Sequence, residues 1–500
     1  MTSDQETPGS APDHASGPAS DPAPDPAPDP ASGPEGAAEG PTEGAAEGRV
    51  ADPSRASAPA ARRDTTASLA CNLEGVLLGV ATAATQIEGG EVDSTWVDWA
   101  ARPGTIADGS SCTRATDHWN RWRQDTELMA GLGVQVYRLG LEWARLEPAP
   151  GTWDAEALAH YRAELELLRE KGIRPLVTLH HFSQPMWFER GGGWLAPDAV
   201  GVFERYVRRV VEALGDLVDE WVTINEPNVY VVGAYVFGTF PPGRRNLVRA
   251  MRVYGVLAAA HIRAFMAIHE LQPGPQTMVG VAHHLRPFRP ANPRNPWHRI
   301  LTPLMRHLFQ GAIVRAMTTG EFRLPLRRPA GVERGRYADF FGLNYYSRTT
   351  VMRFGDGTPP GVPVNDLGWE VYAAGLGEMA TWAWETYPIP IWITENGTAD
   401  ARDAFRSRYL YEHLRVIAEQ RAAGVPIDRY YHWCFVDNWE WDEGEGPRFG
   451  LVALDYSTQE RTVRKSGRFF AETIEAGGVT SQMYAAYVAG QTYPTSPADG

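Results

Sequence analysis

The stretch Trp221-Val222-Thr223-Ile224-Asn225-Glu226-Pro227 decides how the rest of the chain is read. Its first four residues are a short, mostly apolar, β-branched run of the kind that forms a parallel strand covered on both faces. Pro227 has no amide hydrogen, so regular pairing stops there, and it biases Glu226 towards an extended backbone. A carboxylate is left at the mouth of a buried strand. The same construction returns later as Ile391-Trp392-Ile393-Thr394, then Glu395, with Asn396-Gly397 turning the chain. One strand-end glutamate is ordinarily just solvated. Two built alike suggest a pair of carboxylates facing one pocket.

On either side of these two strands, the same kind of run recurs near Val76–Ala83, Val134–Leu139, Arg174–Leu179, Met278–Ala282, Phe340–Leu343 and Arg429–Phe435. Helical-period segments lie between them, such as Ala155–Lys171 and Pro197–Leu214, and several end at a glycine, as at Lys171-Gly172 and Leu214-Gly215. Eight strands alternating with helices predict an α/β fold, a (β/α)₈ TIM barrel with long βα loops. The alternative, an open doubly wound sheet, lacks its Gly-rich phosphate loop after the first strand. The polar residues favour the barrel. After the strands come Gln86 and Glu88, Arg138, His180 and His181, Asn225 and Glu226, His283 and His284, Asn344 and Tyr346, Glu395, and Trp433 to Glu440, whereas the strand starts show no comparable series. In a barrel the C-terminal strand ends converge on one face, where active sites sit.

The motifs TQIEG (Thr85–Gly89), YRLGLEWARLEP (Tyr137–Pro148), LHHF (Leu179–Phe182), TINEP (Thr223–Pro227), GLNYYS (Gly342–Ser347), ITENG (Ile393–Gly397), WCFVDNWEW (Trp433–Trp441) and RFGLVALDY (Arg448–Tyr456) occur in this order. From about Leu73 to about Ile474 the chain therefore resembles the family 1 β-glycosidases. The resemblance implies a retaining, exo-acting β-glycosidase that hydrolyses terminal non-phosphorylated β-D-glycosides, β-glucosides first among them. By the same resemblance Glu226 is the acid/base and Glu395 the nucleophile. Arg138, Tyr346 and Asn344 match positions that support the nucleophile. Gln86, His181, Asn225, Trp433, Glu440 and Trp441 match sugar-binding positions, and Trp369 matches one lining the aglycone side. His180 is the weaker match of its pair, because the family usually has His-Trp where this chain has His180-His181-Phe182.

The chemistry calls for these residue types. A glycosidic oxygen is a poor leaving group, so one carboxyl must donate a proton to it. The other must be ionised, to attack the anomeric carbon and form a glycosyl-enzyme. A separation of about 5 to 5.5 Å permits this double displacement with net retention. Sugar recognition adds directional acceptors and donors over an aromatic floor, because hydroxyls are directional and the C–H face is apolar.

Departures from the family pattern narrow the substrate. The phospho-sugar branch places a Ser, a Lys and a Tyr where this chain has Glu440, Pro447 and Phe449, so a 6-phosphoglycoside is not expected. The thioglucosidase branch replaces the acid/base with Gln, whereas Glu226 is intact. Glu445 and Ala373-Ala374 differ from the usual residues near the pocket rim, which leaves the natural leaving group open. A transglycosylase using the same intermediate and a non-catalytic carbohydrate-binding protein are the alternatives; the second usually loses a carboxylate, and this chain keeps both. No cofactor is expected. The histidine pairs at 180–181 and 283–284 raise a metal, but without HExxH or a carboxylate triad no metal site is predicted.

Composition frames the rest. The net charge of −14 is carried largely by residues 1–48, which hold ten acidic side chains and no Lys or Arg. The chain beyond them is near neutral, which predicts partnership with a small-molecule glycoside or oligosaccharide rather than nucleic acid or an anionic membrane; the oligomeric state is open. Three scattered cysteines, Cys71, Cys112 and Cys434, make no disulfide framework and fit a reducing, cytoplasmic setting. No run reaches the roughly 18 apolar residues expected of a membrane span. The expected organisation is an acidic, Pro/Ala/Gly-rich disordered tail over 1–70, a catalytic domain over 71–485 and a flexible tail over 486–500. The first tail has DPAPDPAPDP and EGAAEG repeats, little apolar surface to bury, and no basic-then-apolar pattern of a secretory signal. Deleting residues 1–65 is therefore expected to leave kcat/KM and Tm nearly unchanged. A melting shift of many degrees would show that the tail docks on the barrel.

Overall fold

A computed structural model describes residues 69–352 and 355–497. The expected disordered tail lies outside the described residues, apart from Leu69 and Ala70. These two belong to a short strand, Leu69–Asn72, that pairs antiparallel with Gly478–Thr480.

Eight parallel strands close into a barrel: β1 (Leu77–Ala81), β2 (Val136–Gly140), β3 (Arg174–Thr178), β4 (Glu220–Asn225), β5 (Met278–His284), β6 (Phe341–Asn344), β7 (Ile391–Asn396) and β8 (Ile427–Trp433). Neighbours in sequence are neighbours in space, and β8 pairs with β1 to close the ring. β4 and β7 are buried at every position, which is why they read as unbroken apolar runs rather than alternating ones. The strand starts are not bare of charge, as the sequence suggested. Glu220 is buried at the foot of β4 between Arg174 (2.8 Å) and Arg429 (3.4 Å), so an ion cluster closes the barrel floor.

The helical layer includes α1 (His118–Gly131), α2 (Ala155–Glu170), α3 (Ala199–Leu214), α4 (Leu247–Leu271), α5 (Pro296–Arg306), α6 (Ala312–Thr319), α7 (Ala374–Thr386), α8 (Arg406–Ala422) and α9 (Lys465–Ala476). α2 begins at Asp154, whose side chain accepts the amides of Glu156 and Ala157. It turns Ala157, Leu158, Tyr161, Leu165 and Leu168 inward at helical spacing. The two glycine stops differ. Gly172 ends α2 in the left-handed region (φ 74°), where a Cβ is disfavoured. Gly215 stays right-handed, but a Cβ there would meet the Val211 carbonyl at 2.5 Å. α4 is long and apolar enough to cross a membrane by length and composition, against the sequence expectation. It is nonetheless packed on α3, with 67% of its apolar window buried within the protein.

The C-terminal segment differs from the flexible tail expected for 486–500. The backbone amide of Arg408 donates to Gln491 Oε1, the Tyr493 hydroxyl to Glu412 (2.9 Å) and the Val364 amide to the Pro494 carbonyl (2.9 Å). Tyr493 packs edge-on against Phe405 and under the Arg408 guanidinium. One aromatic with a carboxylate partner is enough to anchor a stretch that otherwise reads as polar and proline-rich.

Candidate active site

The backbone at the mouth of β4 sets up the site. Glu226 adopts a left-handed conformation (φ 39°, ψ 59°) rather than the extended one expected before proline. Pro227 excludes the right-handed α region for its predecessor. Two constraints then choose among the rest: the Glu226 amide donates to the Ala282 carbonyl of β5 (2.7 Å), and Pro227 opens a short helix, Pro227–Val231. Such a backbone costs about 1–3 kcal/mol and persists only where its surroundings impose it. Phe182 and Trp441, which line the same cavity, also have positive φ.

The cavity, about 450 Å³, opens at the C-terminal face of the barrel. Eight of the residues expected from sequence line it: His181, Glu226, Tyr346, Trp369, Glu395, Trp433, Glu440 and Trp441. Arg138, Asn225, Asn344 and Gln86 stand behind them, fully buried.

Glu395 receives a donor on each oxygen. Arg138 Nη1 donates to Oε1, and the Tyr346 hydroxyl donates to Oε2 at 2.6 Å. Burial raises the proton affinity of this carboxyl; Arg138 opposes it, the Glu226 charge adds to it, and Tyr346 opposes it again. The net effect is upward, to about 7; the guanidinium and the phenol converging on Glu395 are the groups that favour its ionised form. Burial and the charge of Glu395 push the Tyr346 phenol far up, so it stays a donor.

Glu226 is held differently. Its Oε1 meets both Asn344 Nδ2 (2.9 Å) and His284 Nδ1 (3.0 Å), and Oε2 has no partner among the described residues. Asn344 is thus a partner of Glu226, not of Glu395 as expected from sequence. Its own oxygen accepts from the Thr394 hydroxyl (2.6 Å).

Asn225 links the two halves. Arg138 can only donate, so the atom it meets at 2.7 Å is Asn225 Oδ1, which also accepts from Asn344 (3.0 Å). Asn225 Nδ2 then faces His181 Nε2 at 2.7 Å, so that nitrogen accepts and the imidazole proton sits on Nδ1. Burial, followed by the Arg138 charge, holds His181 neutral. Its Nδ1 has no partner in the protein, leaving a donor for a bound hydroxyl. Asn225, expected as a sugar contact, bridges Arg138, Asn344 and His181 and sets the His181 tautomer.

Gln86 reaches the far side of the cavity floor. Its Nε2 lies 2.9 Å from the Trp439 carbonyl and 3.1 Å from both Asn438 Oδ1 and Glu440 Oε2, while Oε1 is buried without a partner. Burial pushes Glu440 up to about 8, the Glu395 charge adds to this, and Gln86 and Trp433 draw it down. Trp433 and Trp441 flank the His181 ring at 5.8 and 5.6 Å. Trp369 meets Tyr346 edge-on at 5.9 Å, with Phe449 at 6.1 Å on its other side.

The histidine pairs split rather than converge. His180 points into a core of Trp194, Phe203 and Tyr230, and His283 packs on Phe341. No cluster of three or more His, Cys, Asp or Glu able to hold a metal occurs among the described residues. Glu88, the other polar residue after β1, is turned away into a buried cluster with Arg145 and Tyr161. His284 is absent from the sequence-derived site. The periodicity of β5 marks its end as polar, but only the closure of the barrel brings that end against Glu226. The outer cavity wall was equally hidden: Val229, Val232, Phe237, Phe240 and Phe309 come from short helical and loop segments with no motif.

The chain is similar to known proteins in sequence and fold. The sequence profile of Glycosyl hydrolase family 1 matches residues 73–479. Beta-glucosidase A of Thermotoga maritima is 32% identical over 81% of this chain and 98% of its own length. The chloroplastic Galactolipid galactosyltransferase SFR2 of Arabidopsis thaliana is 33% identical over 72% of this chain and 58% of its own length. Among solved structures, the Thermotoga maritima beta-glucosidase in complex with glucoimidazole superposes with a TM-score of 0.75 at 30% identity, covering 82% of this chain and all of that one.

Proposed function

Because this chain belongs to glycosyl hydrolase family 1, we propose that it hydrolyses terminal, non-phosphorylated β-D-glucosides by double displacement with retention. One observation carries the reading: two buried carboxylates share one cavity, and their partners differ in kind. Glu395, held by Arg138 and Tyr346, is suited to stay ionised and attack the anomeric carbon. Glu226, with Oε2 unpartnered, is suited to carry the proton.

In the first step Glu395 forms a bond to the anomeric carbon as the glycosidic C–O bond breaks, and the Glu226 proton passes to the departing oxygen. Glycosylation neutralises Glu395, so the carboxyl beside it no longer faces a like charge when it acts as a base. Glu226 then takes a proton from water, the water oxygen attacks the same carbon, and Glu395 is released as a carboxylate. The His181 Nδ1 donor, the free Gln86 oxygen and Glu440 surround the site where hydroxyls of the sugar would sit. Glu440 and Phe449 line the cavity and stand where the phospho-sugar branch has a Ser and a Tyr, which supports a non-phosphorylated sugar.

A panel of nitrophenyl β-glycosides differing only in the sugar tests this. The β-glucoside is expected to give the highest kcat/KM and the 6-phosphoglucoside no measurable turnover; preference for the phosphorylated sugar would overturn the assignment. The likeness to a relative named as a galactosyltransferase, together with the apolar outer wall of the cavity, supports transfer to an alcohol as a second reading. Product analysis with an added alcohol separates the two, because transfer yields an alkyl β-glycoside and hydrolysis yields free sugar.

A further inference from the structure

The near-neutral charge of the folded part conceals a strong local segregation. Residues 286–336 contain eleven arginines and two acidic side chains. Six of these arginines, Arg294, Arg299, Arg306, Arg327, Arg328 and Arg334, are exposed and make no ion pair among the described residues. Within the same stretch α5 is amphipathic in an unusual sense. Trp297, Ile300 and Leu304 recur at helical spacing, yet they face outward, 64%, 61% and 47% exposed. Leu324, 81% exposed, is joined to the end of this stripe, because its carbonyl lies 2.8 Å from His307 Nε2.

We propose that this face docks on the surface of an anionic lipid bilayer. An apolar stripe carrying a tryptophan, flanked by unpaired arginines, is the pattern of a helix that lies in the membrane–water interface. The apolar side chains enter the headgroup boundary while the guanidinium groups meet lipid phosphates. A second copy of this chain fits poorly, because a two-fold contact through the stripe would bring like-charged arginine groups together. A nucleic acid would satisfy the arginines and leave the apolar stripe unfilled. The position is also telling. α5 runs on through His307–Gly311, whose Phe309 lines the cavity and lies 5.9 Å from the His284 ring beside Glu226. The docking face thus borders the cavity mouth. This inference goes beyond the glycosidase reading and does not depend on it.

The test is co-sedimentation of the full-length protein with vesicles of equimolar phosphatidylcholine and phosphatidylglycerol, and with vesicles of phosphatidylcholine alone. Binding is expected to the anionic vesicles, with release at high salt. Two triple variants, Trp297→Ser/Ile300→Ser/Leu304→Ser and Arg294→Gln/Arg299→Gln/Arg306→Gln, are each expected to lose about 10²-fold in partitioning. Their Tm and their kcat/KM on a soluble nitrophenyl β-glucoside should stay unchanged. Failure to bind anionic vesicles, equal binding to both vesicle types, or undiminished binding of the variants would overturn the proposal. So would a concentration-dependent dimer in ultracentrifugation that the apolar variant abolishes, since the stripe would then be a self-interface. A chain that binds anionic vesicles but cleaves no glycoside would leave the docking face standing and remove the catalytic reading instead.

Discussion

Glu395→Gly is expected to lose hydrolysis by at least about 10⁴-fold, because the carboxylate proposed to attack the anomeric carbon is gone. That loss corresponds to about 5 kcal/mol of transition-state stabilisation. The variant keeps Arg138, Tyr346 and Glu226, so leaving-group protonation and sugar binding survive, and the deletion opens room beneath the sugar where the carboxylate stood. Azide or formate is therefore expected to restore turnover. The small nucleophile attacks from the side Glu395 occupied, so the product carries an inverted, α-configured linkage that proton NMR reads directly. Rescue yielding β-products would remove Glu395 from the nucleophile position. A loss of fold is distinguishable, because an unfolded chain shows no azide response.

Glu226→Ala separates proton donation from structural importance. A dinitrophenyl glycoside leaves as a stable phenolate and needs little help, whereas an alkyl glycoside or a disaccharide would leave as an alkoxide. Glycosylation should stay fast for the first and fall by about 10²- to 10⁴-fold for the second. Deglycosylation should slow because water has lost its base, and azide should relieve it by forming the β-glycosyl azide. A purely structural role for Glu226 predicts equal losses along the leaving-group series and no azide response. That pattern would sink the assignment.

Taken alone, the chain's order of apolar runs was enough to predict eight strands, their closure into a barrel, and the face on which the polar residues gather. These features are local or periodic. A buried parallel strand is mostly apolar, and a strand that ends in Asn225-Glu226-Pro227 delivers its carboxylate at the end. Glu395 and Tyr346 were legible for the same reason, since each stands at or just beyond a strand end, whereas Arg138 sits in the middle of β2 and was legible only through its motif.

Pairings across the barrel were not legible, because they depend on which strand ends meet. Asn344 is the register neighbour of Glu395 on the adjacent strand, but its side-chain amide reaches to Glu226 and Asn225. His284 reads as one half of a histidine pair, and only the β5 register brings it to the acid. Tertiary contact also overrode local preference at Glu226, where the β5 carbonyl and the following helix impose a left-handed backbone.

The same division governs the surface. Composition alone places eleven arginines in residues 286–336 and an apolar stripe along α5. A stripe of that spacing ordinarily faces a core, and the sum of charge over the folded part cancels to near neutrality. The tertiary structure decided otherwise, turning Trp297, Ile300 and Leu304 outward beside arginines that have no acidic partner. Periodicity states that a helix has two faces; which of them meets solvent is set by what the rest of the chain packs against it.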